Sequence, residues 1–266
     1  MALGYYLSSL PTLLRGFQDR VRTTFAFLAG RRPFTLTLRD GTRFLIRSAM
    51  DAWTVKETCL DAAYERACTR IQSDWTIVDV GAAFGDFAVS VARAHPRARV
   101  YAYEPFPESF ALLCRNIALN QVSNVVPLQR GVSGAGGTLV LSLTGAAVQH
   151  SAYAEAADDP ARQITIESVS LEQMLADIPA CDFLKIDCEG AEFDILLNAS
   201  PFALAKIRNI ALEYHDGFTP HTHQQLADFL RSHGFTVDCF PNPVHAHLGL
   251  MSARRLTAAA ATPGPA

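Results

Sequence analysis

Five short apolar runs, each delivered into a turn and followed by a helical stretch, constrain this chain more than any other feature. The runs are Trp75 to Val80, Arg99 to Tyr103, Val125 to Gln129, Phe183 to Asp187 and Ile207 to Tyr214. Helical patterns fill the intervals around Phe87 to Ala94, Pro107 to Asn120, Glu189 to Asn198 and His221 to His233. Such alternation predicts an α/β fold, a Rossmann-like doubly wound and mostly parallel sheet covered on both faces. Right-handed crossovers leave few topologies open, and ligands then sit at the carboxyl ends of the strands. After the last helix, Phe235 to Phe240 and His245 to Ala253 flank Pro241-Asn242-Pro243, which reads as a terminal antiparallel hairpin.

Upstream, Phe34 to Ile46 alternates around the Asp40-Gly41 turn as a β-hairpin, and a helix is expected over roughly Ala52 to Gln72. Gly136 to Leu143 and Gln163 to Ser168 alternate like strands and flank an alanine-rich insertion, Gly145 to Arg162, read as a lid or rim. The tail Thr257 to Ala266 lacks apolar periodicity and is expected to be disordered. With 266 residues, 49% of them apolar, the chain can bury a full core as one large domain or two small ones. A formal charge of -3 gives no net pull toward nucleic acid or anionic lipid, so neither is expected as a partner. Six scattered cysteines without a C-x-x-C pair read as reduced thiols.

No apolar stretch approaches the ~20 residues of a membrane span, and no secretory h-region follows an N-terminal basic cluster, so the expected compartment is the cytoplasm. The apolar early segment, with Arg15, Arg20, Arg22, Arg31 and Arg32, is an amphipathic helix candidate. It could pack on its own domain, on a second subunit as a homodimer contact, or on a membrane surface.

The segment Asp79 to Asp86 joins the first strand to the first helix of the alternating region, and Gly81 and Gly85 permit close backbone approach of a ligand. A dinucleotide site wants G-x-G-x-x-G, yet positions 83 and 86 are Ala83 and Asp86. A second acid, Glu104, ends the next strand, where it could accept both ribose hydroxyls of a nucleoside. Asp79 could orient a ligand ammonium, directly or through water. The alternative for this segment is a tight turn with a solvated acid nearby.

The motifs Asp79-Val80-Gly81-Ala82-Ala83-Phe84-Gly85, Tyr103-Glu104-Pro105 and Leu184-Lys185-Ile186-Asp187-Cys188-Glu189-Gly190-Ala191-Glu192 together resemble the FkbM-type methyltransferases. The resemblance extends to Asn116 through Asn120, to Ala211-Leu212-Glu213-Tyr214-His215, and upstream to Lys56, Glu57 and Tyr64, covering roughly residues 40 to 252. Cys188 departs mildly from the family's more frequent β-branched residue. The resemblance implies S-adenosylmethionine as donor and O-methylation of a sugar, glycan or secondary metabolite. The N-terminal helix and the tail lie outside it; the division expected for the whole chain is residues 1–72 as helices and a hairpin capping the site, 73–255 as the S-adenosylmethionine-binding domain and 256–266 as a disordered tail. Gly81, Ala82, Phe84, Gly85, Glu104 and Pro105 are then expected at the cofactor, with Gly131 and Val132 as the backbone edge for adenine.

Methyl transfer needs an aligned acceptor and, for a hydroxyl, a base at the carboxyl ends of the central strands. Asp187, Glu213 and His215 are the catalytic candidates. His215 comes first because its ordinary pKa near ~6.5 lets it take a proton at neutral pH; alternatively it only hydrogen-bonds the acceptor. Asp187 and Glu189 could bind the methionyl ammonium, and Glu189 could equally complement a helix N-terminus. A divalent metal on these carboxylates is not expected. Glu57 and Tyr64, seven residues apart on one helical face, could close over the cofactor or merely pack. His245 and His247 could contact the acceptor or lie exposed. Two rival readings are an NAD(P)-dependent oxidoreductase and a non-catalytic nucleoside-binding module.

Overall fold

A computed structural model describes Thr12 and residues 15–18, 33–142 and 163–256. The expected hairpin is present: β1 (Phe34–Thr37) pairs antiparallel with β2 (Arg43–Ile46). The described part of the early segment packs on it. Phe17 bridges to Leu38 and is buried with Leu36, Phe44 and Ile46. The single helix expected over Ala52 to Gln72 is instead broken. α1 (Ala49–Val55) widens into a π-helical turn, Lys56–Leu60, and Ala62 then takes a left-handed φ of 49° before α2 (Ala63–Ala67). An alanine there gives no sequence warning, because its helix propensity is high and its left-handed conformation is imposed by packing. Such π-turns often mark functional positions, and this one carries Glu57 and Thr58 to a cleft.

The alternating region follows as β3 (Thr76–Val80), α3 (Asp86–Ala94), β4 (Arg99–Tyr103), α4 (Pro107–Asn120) and β5 (Val125–Leu128). Two residues, β6 (Gly131–Val132), then pair parallel with β8 (Gln163–Val169), which pairs antiparallel with β7 (Gly137–Ser142). The Gly145 to Arg162 insertion between β7 and β8 lies outside the described residues, as does the tail from Thr257. The chain continues as α5 (Leu171–Met174), β9 (Phe183–Ile186), α6 (Ala191–Leu197), α7 (Pro201–Ala205), β10 (Asn209–His215) and α8 (His223–Ser232). It closes with β11 (Phe235–Pro241) and β12 (Leu248–Arg255).

The main sheet runs β5-β4-β3-β9-β10-β12-β11. β5, β4, β3, β9 and β10 are mutually parallel, and β12 runs antiparallel to both β10 and β11. The chain steps outward from β3 through β4 to β5, then returns to the other side of β3 as β9. The point where the order reverses therefore lies between β3 and β9, where an open sheet forms its ligand crevice. Leu184, Ile186, Leu212 and Tyr214 pack with α6 and α8 residues Phe193, Leu196 and Leu226. Ile77, Val100, Phe87, Leu113 and Phe183 form a second buried cluster.

The hairpin is fastened to the main sheet by amides rather than strand pairing. Asn116 accepts from Leu45 N (2.7 Å) and donates to Phe84 O (2.8 Å), and Asn120 accepts from Arg43 N (2.9 Å). These α4 side chains satisfy the free backbone edge of β2, which would otherwise be an unpaired strand edge.

Candidate active site

The sheet's carboxyl ends open into a cleft of about 540 Å³. Its floor is the turn after β3. Gly81 has φ +75°, and a Cβ there would sit 1.8 Å from the Asp187 carbonyl oxygen, so β3 and β9 leave β3's turn no room for a side chain. Gly81 N and Ala82 N both donate to Tyr103 O at 3.0 Å, locking the turn to β4. Gly85, with φ +86°, caps α3. Gly81 lines the cleft, whereas Ala82, Phe84 and Gly85 shape the turn from beneath it; Ala82 and Phe84 are buried.

Glu104 is buried in the cleft wall. Its Oε2 accepts from Ala83 N and its Oε1 from Phe106 N, each at 2.8 Å. Burial pushes its pKa up to about 7 against the pull of those two donors. Each oxygen keeps a lone pair for a ligand hydroxyl. Pro105, Gly131 and Val132 line the same side. Asp86, at the start of α3, also faces the cleft, and burial raises it to about 6. An acid where a pyrophosphate would rest disfavours the dinucleotide reading.

Asp79 lies under the cleft rather than in its lining. It is fully buried and paired with Lys185 Nζ at 3.0 Å, although neither carboxylate oxygen meets a donor in hydrogen-bond geometry. Lys185 donates to Gly81 O at 2.8 Å and stands 3.9 Å from Asp187. Burial opposes its charge, but Asp79, Asp187 and Asp86 outweigh that and raise its pKa. Tyr64 donates its hydroxyl to Asp187 Oδ2 at 2.8 Å. Glu57 and Tyr64 both line the cleft, brought there by the π-turn and the Ala62 break rather than by one continuous helical face.

On the far side of the switch point, β10 presents Glu213 and His215 on one face. Glu192, on the first turn of α6, is fully buried beneath His215. Its Oε1 accepts from His215 N at 2.8 Å and lies 3.0 Å from Nδ1, while Oε2 accepts from Gly190 N at 2.9 Å. The ring is therefore held with Nδ1–H on Glu192 and Nε2 toward the cleft, 3.6 Å from Glu189 Oε2. Burial would lower the imidazole pKa, but the hydrogen bond and charge of Glu192, then Asp187 and Glu189, raise it to about 9. The expectation of an ordinary histidine near neutrality is corrected accordingly.

Burial first, then Asp187, pushes Glu189 up to about 7 and Glu213 to about 8. Glu189 does not begin a helix as expected: it has φ 52° in the preceding loop, and α6 starts at Ala191. Glu192 is a further candidate that its residue type alone does not single out. Its only sequence signal was its place three residues after Glu189 in the motif. His245 and His247 precede β12 in its entry loop, and only His247 reaches the cleft. Among the described residues no group of three His, Cys, Asp or Glu side chains is arranged to hold a metal.

This sheet order and its cleft define a Rossmann-like methyltransferase fold, and a provisionally assigned rRNA-methylase of Clostridium thermocellum shares it. That structure aligns at TM-score 0.50 and 11% identity, over 75% of this chain and 96% of its own. The Methyltransferase FkbM domain matches residues 79–237, and the chain belongs to the FkbM methyltransferase family. Methyltransferase sdnD of Sordaria araneosa is 30% identical over 215 residues, 68% of this chain and 81% of its own length. The 31-O-demethyl-FK506 methyltransferase FkbM of Streptomyces tacrolimicus is 27% identical over 243 residues, 80% and 92% respectively. Family membership sets aside the oxidoreductase reading. No helix among the described residues is long and apolar enough to cross a membrane.

Proposed function

We propose that this protein transfers a methyl group from S-adenosylmethionine to a hydroxyl oxygen of a small-molecule or glycan acceptor. The observation that carries the reading is the placement of Glu104 and His215 Nε2 on one cleft, on opposite sides of the switch point. Residues 73–255 form the donor-binding domain, and the elements within 1–72 cap it. The six free cysteines support a reducing compartment, the cytoplasm. The name of the Streptomyces tacrolimicus relative, a methyltransferase of an O-demethyl compound, supports oxygen as the acceptor atom.

The residues present fit the donor. Gly81 keeps the cleft floor close to β9, Glu104 suits vicinal ribose hydroxyls, Gly131 and Val132 suit adenine, and Asp187 and Glu189 suit an ammonium. When bound, the donor supplies a methyl group already activated on a sulfonium. The protein's task is alignment, exclusion of water and removal of one proton.

His215 takes the hydroxyl proton at Nε2, and Glu192 stabilises the resulting imidazolium through Nδ1–H. With its pKa raised to about 9, His215 holds a proton at neutral pH and releases it to solvent before Nε2 can act as the base. Engagement of Asp187 and Glu189 by a cation removes part of the support for imidazolium and moves His215 toward neutrality.

Calorimetric titration with S-adenosylhomocysteine, and separately NADH, tests the donor assignment. Tight product binding that Glu104→Ala weakens is expected, and transfer of labelled methyl to hydroxyl compounds tests the acceptor atom. Preference for NADH, or no nucleoside binding, overturns the reading.

A further inference from the structure

The switch point divides the cleft into a donor half, over β3, β4 and β5, and an acceptor half, over β9 and β10. The donor half is flanked by the π-turn Lys56–Leu60, which lies upstream of the matched family domain. Glu57 and Thr58 line the cleft, whereas Cys59 and Leu60 pack away from it, on the buried cluster that holds Phe17, Phe84 and Val89. The turn is tied to the donor floor: Thr58 donates its hydroxyl to the Asp86 carboxylate, and Cys59 Sγ donates to Asp86 O at 3.5 Å. Asp86 follows Gly85 and opens α3. The turn is also braced within itself, because Asp61 N donates to Lys56 O at 2.9 Å and Lys56 Nζ pairs with Asp61 Oδ2 at 2.7 Å. A push on one side of it is therefore passed to the other. Behind the turn stands Gly16. Its carbonyl accepts from Arg39 N, and Gln18 N donates to Thr37 O, each at 2.9 Å, so the backbone on both sides of Phe17 is fixed to the β1–β2 hairpin. A Cβ on Gly16 would overlap Leu60 Cδ1 and lie 2.7 Å from Cδ2. With the Gly16 backbone pinned, Leu60 is the side that must yield.

Resting on the methyltransferase reading, we propose that Gly16 and Leu60 are positioning residues for S-adenosylmethionine. By seating Leu60, the segment 15–18 sets how closely Thr58 approaches Asp86, and so the width of the donor half. Donor affinity is then governed in part from outside the family domain, through a contact that meets no ligand, since neither Gly16 nor Leu60 lines the cleft. A pocket held at its bound width spares the ligand the cost of ordering it. A segment that served stability alone would change the melting temperature of the protein and leave the affinity of the folded cleft as it was.

The test is a double-mutant cycle on the full chain, read by calorimetric titration with S-adenosylhomocysteine well below the melting temperature of each variant. Gly16→Val displaces Leu60 and Leu60→Ala unseats the turn, and each is expected to weaken product binding about fivefold. Together they exchange volume across the contact, so the double variant should return to within about twofold of wild type. Single variants that bind within about twofold of wild type, however far their melting temperatures fall, overturn the proposal. So does a double variant whose loss is the sum of the two single losses. If either single variant is unfolded by circular dichroism, Gly16→Ala and Leu60→Val carry the same cycle, judged in the same way, with smaller changes of volume. Failure of the wild type to bind S-adenosylhomocysteine is a different result, and refutes the methyltransferase reading instead.

Discussion

Replacing Glu192 with Gln removes one charge from beneath His215 and keeps the shape of the side chain. In the wild type, Glu192 lies 3.0 Å from Nδ1 and outweighs a burial that by itself would hold the imidazole below its ordinary value. Without that charge the burial remains, opposed only by Asp187 and Glu189, so the His215 pKa should fall from about 9 toward the ordinary ~6.5. A fall of two units or more corresponds to about 3 kcal/mol of lost support for imidazolium. The amide also cannot accept from both His215 and Gly190, which adds an unmade hydrogen bond of ~1–3 kcal/mol to the stability of any such variant. That loss would accompany a purely structural role as well. The deciding measurement is therefore the titration of His215 itself, followed by imidazole NMR with His215→Asn identifying the resonance. The ascending limb of the kcat/KM profile, set by deprotonation of the base, should move acidward in parallel. A His215 pKa within half a unit of wild type in Glu192→Gln would refute the argument.

Gly81→Ala should abolish S-adenosylhomocysteine binding and lower the melting temperature, since its Cβ would overlap the Asp187 carbonyl at a left-handed φ; calorimetry and thermal melts check both. Lys185→Met strands the buried Asp79 carboxylate, an expected loss of ~3–5 kcal/mol in denaturant unfolding that Lys185→Met/Asp79→Asn should largely recover. Asn116→Ala leaves Leu45 N and Phe84 O unpaired and should cost ~2–3 kcal/mol without altering the His215 titration. Stability without ligand should decline with rising pH. Glu104, Glu189, Glu213 and His215 all bind protons more tightly folded than unfolded, so their contribution is complete at low pH. It is lost as pH climbs through about 7 for Glu104 and Glu189, 8 for Glu213 and 9 for His215. Thermal melts between pH 5 and 9 that rise or stay flat would contradict this.

The sheet was legible in the sequence because its inner strands are buried on both faces and are mostly apolar, as Thr76–Val80 and Phe183–Ile186 are apart from Thr76, Asp79 and Lys185. The π-turn and the Ala62 break were not, because nothing local in Lys56 to Ala63 disfavours a helix. The two-residue β6 was equally silent, since its pairing partner in β8 lies 37 residues further along the chain. Within the site, residues that present a functional group at a strand end were readable: Glu104, Asp187, Glu213 and His215. Those that act from beneath, Glu192 and Lys185, depend on contacts between different elements. Asp79 looked like a ligand-binding acid from its position entering the turn, yet its partner is Lys185 on the neighbouring strand.

Lys185 explains why the two halves of the cleft form one site. Asp79 and Lys185 are directly opposite in the β3–β9 register, so their pairing straddles the point where the chain order reverses. The same ammonium holds the Gly81 carbonyl and faces Asp187, which in turn accepts from Tyr64 on α2. A shift of β9 relative to β3 would disturb at once the floor of the donor half, the acid shared with the acceptor half and the helix that covers both. Packing alone would tolerate such a shift, because Ile77, Val78, Val80, Leu184 and Ile186 are interchangeable in character. The buried pair is not, since each charge is costly without the other. The polar core of this sheet thus fixes the register on which the spacing between the donor and acceptor halves depends.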